Sequence, residues 1–242
     1  MMKVEMEKTD ERKLADFDWA GIGRTLDADG NALLPGLLDA TQCKELAALY
    51  SAEEHFRSRI VMARHGFGRG EYKYFAYPLP PLLDRLRRAF YPHLAPIANR
   101  WNRQLAIDVE YPAGLSAFLD QCHLAGQTRP TPLILAYGAG DYNCLHQDLY
   151  GAHVFPLQVA ILLSEPGKDF EGGEFVMTEY SSRGQRAVVV PLRQGDAVVF
   201  TVNQRPAMNK RGGTRKVAMR HGVSRIRSGK RHTVGLIFHD SR

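Results

Sequence analysis

The sequence predicts a mainly β protein, an antiparallel sandwich or jelly roll with helical support packed on it. Three observations predict this. From Pro132 onward, short runs rich in β-formers follow one another. Turn signals such as Gly138-Ala-Gly-Asp, Glu165-Pro-Gly, Glu171-Gly-Gly and Gln194-Gly-Asp separate them. Before Pro132, apolar residues recur at helical spacing instead.

Taken in order, the chain starts with MMKVEMEKTDERK, a charged lead-in without the apolar stretch of a secretory signal. Residues 1–13 are therefore expected to be flexible. The run from Asn31 to Leu38 reads as a short extended piece with a turn, and Asp39 or Thr41 is placed to cap a helix over Gln42 to Tyr50. Arg57 to Tyr77 mixes β-formers with glycines, which predicts a strand and a loop. A long helix is predicted from Pro81 to Arg103, with Leu82, Leu83, Leu86, Phe90, Leu94, Ile97 and Trp101 on one face. Arg85, Arg87 and Arg88 should face away from it, and Pro92 and Pro96 should bend or divide it. Leu115 to Leu124 reads as a third helix. Strands follow over Leu133–Tyr137, Phe155–Leu163, Glu174–Thr178, Ala187–Val190, Ala197–Val202, Val217–Val223 and His232–His239. No linker divides the halves, so a single integrated domain is expected, with a helical support region at 14–131 and a β core at 132–242.

The composition is ordinary for a globular chain: 44% hydrophobic and 24% charged residues. No apolar run approaches the ~18–20 residues that cross a bilayer. The three cysteines, Cys43, Cys122 and Cys144, are odd in number and lack CxxC spacing, which fits a reducing compartment and predicts a cytoplasmic protein. The net charge of +6 is unevenly placed. From Asn203 to Arg231 there is no acidic residue, while Arg205, Lys210, Arg211, Arg215, Lys216, Arg220, Arg225, Arg227, Lys230 and Arg231 are all basic. That stretch reads either as a solvated basic loop or as a surface for a polyanion.

His146, Asp148, His221 and Arg231 carry the chemistry. On a strand, His146 and Asp148 point to one face because they are two apart. Two imidazoles and one carboxylate suit one face of an octahedral metal, the donor set of non-haem Fe(II) oxygenases. An arginine shortly after the second histidine can hold an acidic co-substrate through paired hydrogen bonds.

Four ordered pieces resemble the Fe(II)/2-oxoglutarate-dependent dioxygenases, in the prolyl-hydroxylase and alkylation-repair branch. They are Leu135-Ala-Tyr137 through His146-Gln-Asp148, Glu171-Gly-Gly-Glu-Phe175, Gln194-Gly-Asp-Ala-Val-Val-Phe200, and His221 through Arg231. Over most of its length the chain is most similar to a bacterial group linked to oxidative repair of alkylated nucleic acid. The resemblance implies a double-stranded β-helix that binds Fe(II) through His146, Asp148 and His221. It also implies 2-oxoglutarate on Arg231 and Tyr137, with Tyr142 and Thr233 as further residues of that pocket, and dioxygen as oxidant. The chemistry implied is C–H hydroxylation coupled to decarboxylation of 2-oxoglutarate to succinate.

Asn143 and Gln147 flank the ligands and are candidates for orienting them. His153, His232 and His239 stand outside the set, although His153 could face the mouth of the roll; Cys144 reads as packing. For the substrate, the basic segment 205–220 and the aromatics Tyr150, Phe155 and Tyr180 point to nucleic acid. A protein or peptide hydroxylase, or a metal-binding sensor without catalysis, are the competing readings.

Overall fold

The chain, described here by a computed structural model, is covered at residues 12–149, 151–181, 184–209 and 212–242. Most of the lead-in expected to be flexible, with Tyr150, Lys210 and Arg211, lies outside the described residues. In chain order the elements are α1 (Trp19–Asp29), β1 (Asn31–Leu34), α2 (Ala40–Ala48), β2 (Phe56–Val61), β3 (Gly68–Arg69), β4 (Glu71–Phe75), α3 (Pro81–Gln104) and α4 (Leu115–Leu124). There follow β5 (Leu133–Tyr137), β6 (Tyr142–His146), β7 (Leu157–Leu162), β8 (Phe170–Gly172), β9 (Phe175–Ser181) and β10 (Gly184–Val190). The last are β11 (Ala197–Thr201), β12 (Gln204–Met208), β13 (Thr214–Val223), β14 (Ile226–Gly229) and β15 (Arg231–Leu236).

A seven-stranded sheet runs β1-β11-β7-β15-β5-β4-β2 and faces a second sheet ordered β10-β9-β13-β6-β3, with β12 beside β13. The fold is the predicted mainly β one, a double-stranded β-helix with helices packed on it. β7 is buried at every position because it is covered on both faces. Leu157, Val159 and Ile161 meet the helices, while Ala160 meets Phe175, Met177 and Met219 of the facing sheet.

Local chemistry places most elements. Asp39 caps α2 in a capping box with Gln42. The unforeseen helix α1 has its own signals: Asp18 accepts from the Gly21 amide at its start, and Gly30 closes it in the left-handed region. Ile22 and Leu26, one turn apart, anchor it. Among the described residues, those before Pro132 contribute the four strands β1 to β4 as well as the four helices α1 to α4, with β1, β2 and β4 joining the larger sheet.

Helix α3 is not divided at Pro92 or Pro96 and holds Leu83, Leu86, Phe90, Leu94 and Trp101 in the core. Arg87, expected to face away, is buried. Its guanidinium reaches the chain end after β15, donating to the Ile237, Phe238 and His239 carbonyls and to Asp240. No described helix is long and apolar enough to cross a membrane.

Candidate metal centre

Strands β6 and β13 run antiparallel with His146 directly opposite His221. Their rings therefore meet on one face, with centroids 4.3 Å apart. Asp148, just past the end of β6, completes the group: its Oδ1 lies 3.5 Å from His146 Nε2 and its Oδ2 lies 3.4 Å from His221 Nε2. One donor atom from each residue falls within 4.8 Å of the others. His146 Nδ1–H donates to the Cys144 carbonyl at 2.8 Å, which fixes the tautomer and turns the Nε2 lone pair toward Asp148 and His221. Phe175 and Phe200 flank the His221 ring and close the inner side.

Electrostatics prepare these groups for a cation. Burial works to raise the Asp148 carboxyl, but the hydrogen bond to His221, the charges of both histidines and the Gln158 amide outweigh it and bring it down to about 2. Burial, then the neighbouring His221, lower His146, which favours its neutral form. Two imidazoles and an ionised carboxylate form the donor set that fits Fe(II).

A second group lies deeper in the same interior. Arg231 on β15 is the cross-strand partner of Tyr137 on β5. The guanidinium is buried, donates from Nη1 to Thr233 Oγ1 at 2.7 Å, and leaves Nε without a partner among the described residues. Its carbon lies 5.7 Å from the Tyr137 ring centre and 5.8 Å from that of Phe170. Burial pushes Arg231 down to about 10, which leaves it charged at neutral pH. The Tyr137 hydroxyl is buried without a hydrogen bond of good geometry, and desolvation pushes its pKa up. Val223, two positions past His221 and so on the same face, packs in the cluster that holds Tyr137.

Two glycines make room for this pair. Gly173, of the Glu171-Gly-Gly turn, has φ +63°; a Cβ there would strike Ile226 and stand 2.9 Å from Arg231 Cδ. Gly70 has φ +105°, and a Cβ would come within 2.7 Å of the Tyr137 ring.

The remaining candidates separate clearly. Thr233 touches Arg231, whereas Tyr142 is 38% exposed on β6, outside that buried group. Gln147 bridges to the Asn203 and Met219 carbonyls, at 2.8 Å each. His232 faces the other side of its sheet, against Tyr50, and His153 is half-buried with its backbone held by Gln127. Phe155 is a correction: it is 0% exposed within the cluster of Tyr91, Tyr111, Phe118 and Phe238, and so has no face to offer a base. Arg205 is another, being buried and ion-paired with Glu179 at 2.7 Å. Sequence reasoning missed Gln158, whose position on the inward face of β7 no local signal marks. It also missed how near His239 stands: burial, then Arg87, lower it to about 4, and Asp148 is close enough to oppose that.

Comparison with known proteins agrees with this geometry. Residues 70–241 match the model of the Oxygenase-NA family, described as an oxygenase catalysing oxidative methylation of damaged DNA. Two Mycobacterium tuberculosis proteins, each named only as uncharacterized, are 49% identical over 168 residues, 69% of this chain and 72% of theirs. A Pseudomonas putida prolyl-4-hydroxylase superposes with TM-score 0.52 at 16% identity, covering 93% of this chain and 99% of its own. A Trichoplax adhaerens prolyl hydroxylase, solved with a hypoxia inducible factor peptide, gives TM-score 0.55 at 13% identity over 95% and 90%. A Burkholderia pseudomallei oxidoreductase of the 2OG-Fe(II) oxygenase family gives 0.52 at 18% over 93% and 94%.

Proposed function

Because the chain belongs to the Oxygenase-NA family and is a 2-oxoglutarate- and Fe(II)-dependent dioxygenase, we propose that His146, Asp148 and His221 hold its iron and that it oxidises alkylated nucleic acid. Arg231 receives the distal carboxylate of 2-oxoglutarate, with Thr233 and Tyr137 beside it. The observation that carries this is a buried arginine with one hydrogen bond and an unpaired Nε, lining the same interior as the triad. A buried charge of this kind is costly unless an anion completes it.

Iron, 2-oxoglutarate and dioxygen together supply oxidative decarboxylation, giving succinate and carbon dioxide while one oxygen atom enters a substrate C–H bond. The chain's own residues prepare and confine that chemistry. His146 is held in the right tautomer by the Cys144 carbonyl, and Asp148 stays ionised at every physiological pH. Arg231 fixes the co-substrate in one register, which is an orientation effect. Phe175, Phe200, Leu162 and Val223 keep water from the inner side.

The family description and the acid-free basic segment support nucleic acid as the target. If the oxidised carbon is an N-methyl group, the hydroxymethyl product loses formaldehyde and the N–H is restored. The test is turnover of 2-oxoglutarate with Fe(II) and N-methylated oligonucleotide, reading succinate and formaldehyde together. Both should form with the wild type, and neither with His221→Ala, which should also lose metal binding. Turnover stimulated by peptides alone would overturn the substrate; full succinate release by His221→Ala would overturn the ligand assignment.

A further inference from the structure

We propose that the outer face of the ligand-bearing sheet carries a single-stranded DNA path, a cavity of about 610 Å³ bordered by Gln147, Leu149, Tyr180, Gln204, Arg215 and Lys216. This rests on the nucleic-acid reading above and adds where the strand lies and what holds it.

The path follows from strand alternation. On β13, Val217, Met219 and His221 point inward and are buried, so Lys216, Ala218 and Arg220 point outward and are exposed. Ala218 is the cross-strand partner of Tyr180 on β9 and of Gln204 on β12, so these three cross the outer face in one row. Gln147 lies between the ligands His146 and Asp148 and faces the opposite way from them. Its amide reaches the Asn203 and Met219 carbonyls, which staples the ligand strand to the floor of the groove. Leu149, one residue past Asp148, is exposed at the rim, so the groove is lined by the two residues that flank Asp148 in the chain.

The lining has the chemistry of a nucleic-acid strand and no acidic residue. Among the described residues, Arg215, Lys216 and Arg220 have no ion-pair partner, whereas the nearby Glu179 is already held by Arg205 and Arg186. The Arg220 guanidinium lies 5.1 Å from the Tyr180 ring centre, which makes a flat cationic platform at the edge of the groove. Successive cations beside such a platform match phosphates that alternate with bases. A single strand fits better than a duplex, because a base must leave its stack to reach an enclosed metal centre.

The experiment measures binding of a fluorescein-labelled single-stranded oligonucleotide from ~50 to 200 mM salt. Single-strand binding loses about 0.7 in log–log slope per neutralised phosphate, so Arg215→Ala/Lys216→Ala/Arg220→Ala should flatten the salt slope by about 2. Tyr180→Leu should weaken binding about tenfold with the slope unchanged. The surface pair Lys44→Ala/Arg193→Ala serves as the charge control and should change neither, and thermal melts confirm that each variant folds. Wild-type slope and affinity in the triple variant, with methylated oligonucleotide still turned over, would overturn this path while leaving the proposed function standing. Absence of any DNA binding by the wild type would overturn both. Binding of an acidic peptide in place of DNA, lost in the triple variant, would reassign the groove to a protein partner and so overturn the proposal.

Discussion

Arg87 and Arg231 are each 1% exposed, yet they differ in everything that surrounds the charge. Arg87 donates to three backbone carbonyls, to Tyr77 Oη and to Asp240 Oδ1, whose other oxygen lies 2.9 Å from His123 Nε2. Arg231 has Thr233, two aromatic rings and, farther off, the charge of Glu174. The first charge is fully solvated by protein and ties α3 to the end of β15. The second is desolvated but only partly satisfied, which is the state expected of a group that completes its shell with a ligand. Burial alone therefore does not distinguish a structural ion pair from a binding residue; the inventory of partners does.

The largest expected effect is on the structural side. Arg87→Leu should cost about 3 kcal/mol or more in denaturant unfolding, because Asp240 is left buried with only Tyr77 and His123. Loss of less than ~1 kcal/mol would erase the contrast. Arg231→Leu should do the reverse. Its stability should stay within ~1 kcal/mol of wild type, while 2-oxoglutarate affinity by calorimetry falls at least about a hundredfold and metal affinity is retained. Equal loss of metal and co-substrate would break the assignment of Arg231 to the carboxylate.

Acid titration sharpens the comparison further. His239, held by Arg87 through its carbonyl, is lowered by burial from 6.5 to about 4. The unfolded chain binds the proton more tightly between those values, so the stability of the neutral state is present above about pH 6.5 and is lost as pH falls toward 4. That loss is on the order of 3 kcal/mol, and His239→Gln should flatten it in melts run across the window. An unchanged pH profile would show that His239 is not the group responsible. The smallest effect concerns packing. Gly173→Ala should cost about 1–2 kcal/mol through its positive φ and should weaken 2-oxoglutarate binding by displacing Arg231, while the same change at Gly36, which meets nothing within 4 Å, should leave that binding alone.

Much of the candidate metal centre was legible in the chain. His146 and Asp148 share a face by simple alternation, and the chemistry of two imidazoles with a carboxylate narrows the metal before any fold is known. The glycines of the Glu171 turn were visible as punctuation, although not as the space that Arg231 needs. The misreadings have one character. Arg87 stands among arginines on a helix that shows an apolar stripe, and nothing nearby in sequence announces that Asp240 lies opposite. Phe155 looks like an aromatic at a site mouth until Tyr91, Tyr111 and Phe238 close around it. Gln158 is an unremarkable polar residue in an apolar strand.

The sequence by itself determined which side chains offer donors for a metal and an acid, where several turns fall, and seven of the strands after Pro132 but not β6, β8, β12 or β14, because spacing and side-chain chemistry are local properties. Only the tertiary structure decided which charges are satisfied, which aromatics are sealed in the core, and which face of β13 meets solvent. Those depend on partners far apart in the chain that strand pairing brings together, and no local pattern encodes them.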